Sequence, residues 1–524
     1  MKKSVIFLSF TILLLGCADF LNVPPNKTGR SDIYHMDQLY GLMGNYDLLN
    51  GGNNWAELVY SGDAIDISPY YYTAVRPSDS PYDNWSWDPE YRKNFNITAT
   101  AWGLWGAVYT CNTILENLDK VIQTTPEVRK QVEAEALYGR AHCHFIFLVQ
   151  YCLWDDEAPG IGYQDNTSPS DIPKRETVKY SVDRILEDLD NAEKAFTEAG
   201  RTQFELKRNF RPSLPAVKAL QARIHLYRAN YAAALENANA ALAKYDYLMV
   251  IKDEPLYAPT LFDINVLDET NSRIVGTLKY RTMPLIGALA VEGTMKHPEF
   301  YMPCFQNYYF GNKLVPLSES YYRLFDHEND QRWILFYNNY HNVYNSALAK
   351  SVVLEGNTTP TARCFTWEDQ QGVKEWHRHT YGRYGAASFR TSIIGPTTAE
   401  MYLIKAECLA RAGNTTEAAN ILRTLRRTRF TTQEVADNYG GSLREVMDER
   451  AREMTEVWRY FDIKRLNGSE KANIILKRTI LTDRTNINSA IDIEILPDDP
   501  RWALQIPMAQ CILMGWEPNG WGPK

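Results

Sequence analysis

No two cysteines in this sequence stand in C-x-x-C spacing. Cys17, Cys111, Cys143, Cys152, Cys304, Cys364, Cys408 and Cys511 are scattered singly. That excludes a zinc ribbon and a thioredoxin-like redox pair. Ser-centred nucleophile elbows and Gly-rich phosphate loops are also missing, which removes the common hydrolase and nucleotide-binding signatures. Positive charge is in deficit, with 56 Lys and Arg against 64 Asp and Glu and a net charge of −8. Nucleic-acid binding depends on neutralising phosphates, so no nucleic-acid partner is expected. Beyond the first 16 residues no apolar run approaches the ~18 that would mark a membrane-crossing helix.

What is present begins at the N-terminus. Lys2 and Lys3 precede an apolar run from Val5 to Leu15. It has roughly half the ~20 residues of a bilayer span and matches the apolar stretch of a secretory signal. The run ends Leu14-Leu15-Gly16-Cys17, which resembles the bacterial lipobox, whose cysteine is acylated and becomes the new N-terminus. A plain secretory signal that contains a cysteine is the alternative. Loss of residues 1–16 removes two lysines and takes the net charge to −10. Residues 17–33 then read as a lipidated tether broken at Pro24-Pro25, and residues 34–524 as a single domain. Acyl chains contribute about 0.8 kcal/mol per buried methylene, so two or three hold a protein on a membrane. Seven cysteines remain, an odd number, and several sit on apolar helix faces as small hydrophobes.

The strongest regular signal is helical. Ala134, Leu137, Ala141, Phe145, Leu148 and Cys152 recur every three to four residues, a single buried stripe. Val182, Ile185, Leu189, Ala192 and Phe196 repeat it. Residues 214–242 and 399–425 each read as two helices joined by a tight turn. In the first, Ala222 and Ala234 flank Ala229-Asn230; in the second, Ala406 and Ala418 flank Gly413-Asn414 at the same offsets. Small residue, turn, small residue at that spacing is the tetratricopeptide pattern, because helices cross closely only where side chains are small. Residues 133–196 and 442–464 would supply further units, giving helical repeats over about 100–245 and 396–466.

Two stretches, about 34–100 and 250–395, lack helical periodicity and carry many Gly, Pro and Asn. Long insertions of this kind are where binding surfaces are built. The sequence holds 33 Tyr and 13 Trp, residues that join an apolar face to a polar handle. A pyranose also has apolar faces and polar edges, so flat rings beside carboxylates, amides and guanidiniums are what a sugar binder needs. Asp63, Asp66, Tyr70, Tyr71, Tyr72, Arg76, Asn84, Trp85 and Trp87 form one candidate set. Tyr301, Gln306, Asn307, Tyr308 and Tyr309 form a second, while Trp102 and Trp105 read as core.

Paired carboxylates at Asp155-Asp156 and Asp498-Asp499 sit in Pro/Gly-rich text and read as solvated loop charges rather than a glycosidase pair. His142 and His144 point apart on a helix, and His377 and His379 read as surface residues. Neither pair is expected to hold a metal. The spacing around Asp63–Asp66 fits no calcium-loop signature, so a structural calcium has only weak support there. No cofactor is expected. Arg450, Glu453, Arg459 and Asp462 read as a structural charge cluster on a helix.

Several motifs together resemble the SusD/RagB family of Bacteroidetes outer-membrane nutrient-binding lipoproteins. The segment from Cys17 to Pro24 is similar to that family's mature start. Ala134-Glu135-Ala136 with Arg140-Ala141, Phe145, Leu148 and Tyr151 resembles one of its repeat helices, and Arg175-x-Thr177-Val178 the start of the next. Ala219 to Tyr227 and Ala399 to Glu407 resemble two more. Glu449-Arg450, Glu453, Glu456, Arg459, Phe461-Asp462 and Arg465 resemble its charged C-terminal helix, and Asn329 to Arg332 a structural element. The close, Ile506-Pro507 with Pro518 to Trp521, is also similar. Two departures are Trp458, where a small residue is usual, and the longer loop from Trp154 to Pro159.

The resemblance implies a mainly α protein, a SusD-like superhelix of tetratricopeptide-like helix pairs carrying an irregular ligand-binding region. It implies a lipid-anchored, non-enzymatic glycan binder on the outer face of the outer membrane. Its partner would be a SusC-type TonB-dependent β-barrel transporter. A peptide ligand, or a scaffold without any small ligand, remains an alternative.

Overall fold

The computed structural model describes residues 33–45, 48–49, 58, 60–66, 80–88, 103–122, 124–251, 260–267, 274–282, 299–302, 305–309, 318–332, 351–354, 367–369, 372–374, 389–482 and 489–520. The first half holds helices α1 (Met36–Met43), α2 (Ser80–Trp85), α3 (Gly103–Asn117), α4 (Pro126–Tyr151), α5 (Val178–Glu198), α6 (Leu214–Tyr227) and α7 (Tyr231–Leu242). Then come strands β1 (Thr260–Leu267), β2 (Ile274–Thr282) and β3 (Phe305–Tyr309), helix α8 (Glu319–Tyr322), and strands β4 (Ser351–Leu354), β5 (Trp367–Asp369), β6 (Gly372–Lys374) and β7 (Phe389–Ile393). The last part holds α9 (Thr398–Arg411), α10 (Thr415–Arg426), α11 (Gln433–Asp437), α12 (Leu443–Glu453), α13 (Thr455–Ser469), β8 (Leu476–Leu481), β9 (Ala490–Ile495) and α14 (Met508–Met514). The protein is mainly α, as expected. β1 pairs with β2 and β4, and β3/β7, β5/β6 and β8/β9 are two-stranded ribbons, all antiparallel.

α4 begins where Thr125 accepts a hydrogen bond from the Val128 amide and Pro126 occupies the first turn. It is buried on nearly every side, packed by α1, α3 and α5. The Ala134–Cys152 stripe is in the core, and each fully buried Leu, Ile or Phe there contributes about 1.5–3 kcal/mol. Arg140 crosses to α5 in a two-pronged pair with Asp188, both contacts 2.7 Å. α5 continues the core through Val182, Ile185, Leu189, Ala192 and Phe196, all fully buried.

The two hairpins read from the sequence are nearly the same object. Ala229 (φ 54°) and Gly413 (φ 80°) take the left-handed conformation that turns each chain. Asn230 and Asn414 then cap α7 and α10 through the Ala233 and Glu417 amides. Ala222, Ala234, Ala406 and Ala418 are fully buried at the crossings. α9 packs directly on α6 and α7, so residues 243–397 are an insertion between adjoining hairpins. Among the described residues, the irregular stretches hold α1, α2, β1 to β7 and α8.

Between α9, α12 and α13 the core is ionic. Glu449 accepts from Arg332, Arg426 and Arg452, and Glu453 from Arg332 and Arg429. Asp462 holds Arg450 and Arg465, Glu407 holds Arg465, and Glu400 holds Arg223 from α6. Burial pushes the Glu449 carboxyl up, but Arg452, Arg332 and Arg426 outweigh it and hold it well below the usual range. The cluster is therefore structural, although its partners come from several segments rather than from neighbouring turns of one helix. Trp458 lies buried with the Arg223 guanidinium 4.3 Å from its ring centre.

His142 and His144 are core residues with separate surroundings. Neither nitrogen of His142 meets a polar partner, and burial, with Arg223, pulls its pKa down to about 3. His144 faces the Arg140 carbonyl through Nδ1, accepts from the Gln164 amide at Nε2, and is lowered by burial to about 4. Cys111, Cys143, Cys152, Cys408 and Cys511 are free and buried. Trp105 stacks on Phe147 with ring centres 4.9 Å apart. Trp102, His377 and His379 lie outside the described residues.

Candidate functional site

The first candidate set splits sharply. Tyr70, Tyr71, Tyr72 and Arg76 lie outside the described residues, as does Cys17. The residues on either side of 67–79 are fixed to the scaffold with unusual density. Arg478, in β8, donates to the carbonyls of Tyr60 (3.3 Å), Ser61 (2.9 Å), Gly62 (2.6 Å) and Trp85. Its guanidinium also lies 5.2 Å from the Trp85 ring centre. Trp85 Nε1 donates to the Ile65 carbonyl and Trp87 Nε1 to the Ser61 carbonyl, each at 3.1 Å.

This corrects the reading of Trp85 and Trp87 as ligand platforms. Trp85 is 2% and Trp87 0% exposed, with both indole donors occupied. Trp87 sits edge-on to Trp502 at 4.8 Å and tilted over Tyr460 at 6.5 Å. Its backbone has φ 55°, a strained value for an aromatic residue, and the Arg501 guanidinium donates to its carbonyl at 2.7 Å. Asn84 is likewise buried. Trp85 and Trp87 fix the chain, and none of the three offers a surface to a solute.

Asp63 is also turned inward. Arg459 grips its carboxylate with Nε at 2.9 and 3.1 Å and Nη2 at 2.8 Å. A carboxylate so engaged is a poor calcium ligand. Burial would lower the pKa of Arg459, but Asp63 outweighs it and holds the guanidinium charged. Ser318 Oγ donates to the Asp63 carbonyl at 2.6 Å, and the Ser318 amide to the Ala64 carbonyl at 2.9 Å. The two irregular stretches are thus stitched together at residues 63–64. Asp66 is partly buried at the edge of this clamp.

In the second set, Tyr301 is fully buried and donates its hydroxyl to the Tyr245 carbonyl at 2.6 Å, which corrects its assignment as a ligand contact. Gln306, Asn307, Tyr308 and Tyr309 lie in β3, whose backbone pairs them with Ser392, Thr391, Arg390 and Phe389 of β7. β7 runs into Ile394 and Gly395, whose carbonyls accept from Arg223 at 2.6 and 3.2 Å. The β3/β7 ribbon is therefore rooted in the helical core.

The sequence reading missed Arg478, Arg501 and Ser318, which do the clamping. The available signal is an arginine on the face of strand LKRTIL that it shares, by alternation, with Leu476 and Ile480. Chemically, the site is a rigid polar frame around the attachment points of residues 67–79. No cluster of three or more His, Cys, Asp or Glu side chains able to hold a metal stands among the described residues.

Residues 19–226 match the family model described as starch-binding associating with outer membrane, and residues 322–496 the model described as the SusD family. A SusD superfamily protein from Bacteroides vulgatus is similar in structure, with TM-score 0.58 and 18% identity over 94% of this chain and 100% of that one. One from Bacteroides thetaiotaomicron gives TM-score 0.59 and 16% identity over 93% and 100%. A laminarin-binding SusD-like protein gives TM-score 0.50 and 14% identity over 93% and 99%. No curated protein matches the chain.

Proposed function

The chain belongs to the SusD/RagB family, and from that premise we propose that it captures oligosaccharide at the cell surface and passes it to a SusC-type TonB-dependent β-barrel. The family match carries this reading. It is supported by the description of the N-terminal family model as starch-binding and by the laminarin-binding relative. Cys17, at the end of its apolar run, supplies the lipid anchor, and the anchored protein faces outward. The role is binding, without turnover and without a cofactor.

Tyr70, Tyr71, Tyr72 and Arg76 fall in sequence between the two clamped segments, 60–66 and 80–88, and we assign sugar contact to them in place of Trp85, Trp87, Asn84 and Tyr301. Each stacked ring contributes about 0.5–1.5 kcal/mol. Three rings with a few hydrogen bonds give affinities of about millimolar to micromolar. Calorimetric titration of the soluble form that starts after Cys17, against laminarin, starch and xylan oligosaccharides, tests the reading. Saturable binding of at least one, weakened by Tyr71→Ala, supports it. Binding of a peptide library with no response to any glycan overturns it.

A further inference from the structure

Between the end of α4 and the turn after α13 lies a cavity of about 610 Å³. That is the size of a small-molecule site. Leu153, Leu496, Pro497 and Trp502 give it apolar walls, and Lys464 and Asn473 line it with polar groups. Gly468 keeps one wall close: a Cβ there would collide with the Trp154 carbonyl oxygen.

Lys464 is the anomaly. It is 4% exposed, and its ammonium donates to one acceptor, the Val149 carbonyl at 2.7 Å. No carboxylate among the described residues stands within ion-pair distance of it. The buried arginines of the core differ: Arg223, Arg332, Arg426, Arg429, Arg450, Arg452 and Arg465 each have a carboxylate partner. A buried ion without its counter-charge costs several kcal/mol. Burial accordingly draws the Lys464 pKa down to about 7.

The neighbouring groups do not supply the missing charge. Burial raises the Cys152 thiol to about 11, so it is neutral at physiological pH. At the rim, Asp155 is neutralised by Lys471 at 2.8 Å. Asp498 is exposed and solvent-screened. The cavity therefore has one deep, uncompensated cation beside apolar walls.

We propose that this cavity binds a monocarboxylate with a sugar or apolar body, its carboxylate paired with the Lys464 ammonium and its body against Leu153, Leu496 and Trp502. One carboxylate fits because one cation is uncompensated. The inference goes beyond glycan capture by the tyrosine-rich segment, and either can fail without the other. Affinity is highest below pH 7 and falls as Lys464 loses its proton, about tenfold between pH 6 and pH 8 for a group titrating at 7.

The test is calorimetry on the mature chain with galacturonate, glucuronate and N-acetylalanine as probes, and glucose as the neutral control, at pH 6 and pH 8. At least one carboxylate binds, weakens about tenfold from pH 6 to pH 8, and is lost in Lys464→Met, while glucose gives no heat. Leu496→Trp, which narrows the cavity from its exposed rim and leaves the cation in place, also weakens binding. A response to uronates alone identifies an acidic sugar; a response to N-acetylalanine as well identifies the carboxylate as the element recognised. Silence from all three acids, equal binding of glucose, or affinity unmoved by Lys464→Met overturns the proposal.

Discussion

Replacing Arg478 with alanine removes the residue that holds the clamp together. Four backbone carbonyls, those of Tyr60, Ser61, Gly62 and Trp85, lose the Arg478 donor inside the protein, and Ser61 alone keeps the Trp87 indole. An unsatisfied buried acceptor costs about 1–3 kcal/mol, and loss of the cation over Trp85 adds about 1 kcal/mol. Relaxation and water entry recover part of this, so the expected local loss is about 3–4 kcal/mol. At 1.36 kcal/mol per decade this is roughly 150- to 1000-fold faster opening. Hydrogen exchange by mass spectrometry reads it directly. Peptides over 58–66 and 80–88 lose protection by about that factor in Arg478→Ala, while α5 stays unchanged. Arg478→Lys keeps a charge without the fork and falls between. Exchange of both peptides within threefold of the parent would refute the clamp, and with it the reassignment of Trp85 and Trp87.

Three further outcomes follow from the same physics. His142 has a folded pKa of about 3 against roughly 6.5 unfolded, so the unfolded chain binds the extra proton and stability falls as pH drops below 6.5. His142→Leu removes that slope, which approaches about 1.4 kcal/mol per pH unit, so its unfolding free energy from urea titration gains on the parent by about 2 kcal/mol between pH 6.5 and 4.5; parallel curves contradict this. Gly468→Ala forces the Trp154 backbone aside and costs about 3 kcal/mol or more, seen as a fall in thermal midpoint; an unchanged midpoint contradicts the close approach. Asp63→Asn strips the charge from the Arg459 pair and costs about 1–2 kcal/mol, seen as a fall in thermal midpoint; an unchanged midpoint contradicts the pairing.

The helices were legible because burial on one face writes a 3.6-residue period into the chain; α5 follows it closely, and α4 carries it from Ala134 to Leu148 although its other faces are buried too. The hairpins were legible because close crossings need small residues, and the Ala229-Asn230 and Gly413-Asn414 turns place a left-handed residue at the same offset before the same Asn cap. The site was harder to read. Trp85 and Trp87 stand in polar, Pro-punctuated text, where local pattern cannot separate a ring stacked on a solute from one sealed against Tyr460 and Trp502. Their anchor, Arg478, lies 393 residues from Trp85, and Arg459 lies 396 from Asp63. No window along the chain contains both ends of such a contact. Tyr301 was misread for the same reason, its hydroxyl partner being the carbonyl of Tyr245.

The most direct test of the central claim is calorimetry of oligosaccharides on two variants in parallel: Tyr71→Ala, in the segment assigned to sugar contact, and Trp87→Phe, in the clamp itself. The account predicts that the tyrosine variant loses affinity at unchanged thermal stability. The tryptophan variant loses stability first and binds normally while folded. A glycan whose affinity ignores Tyr71→Ala yet disappears in folded Trp87→Phe contradicts it.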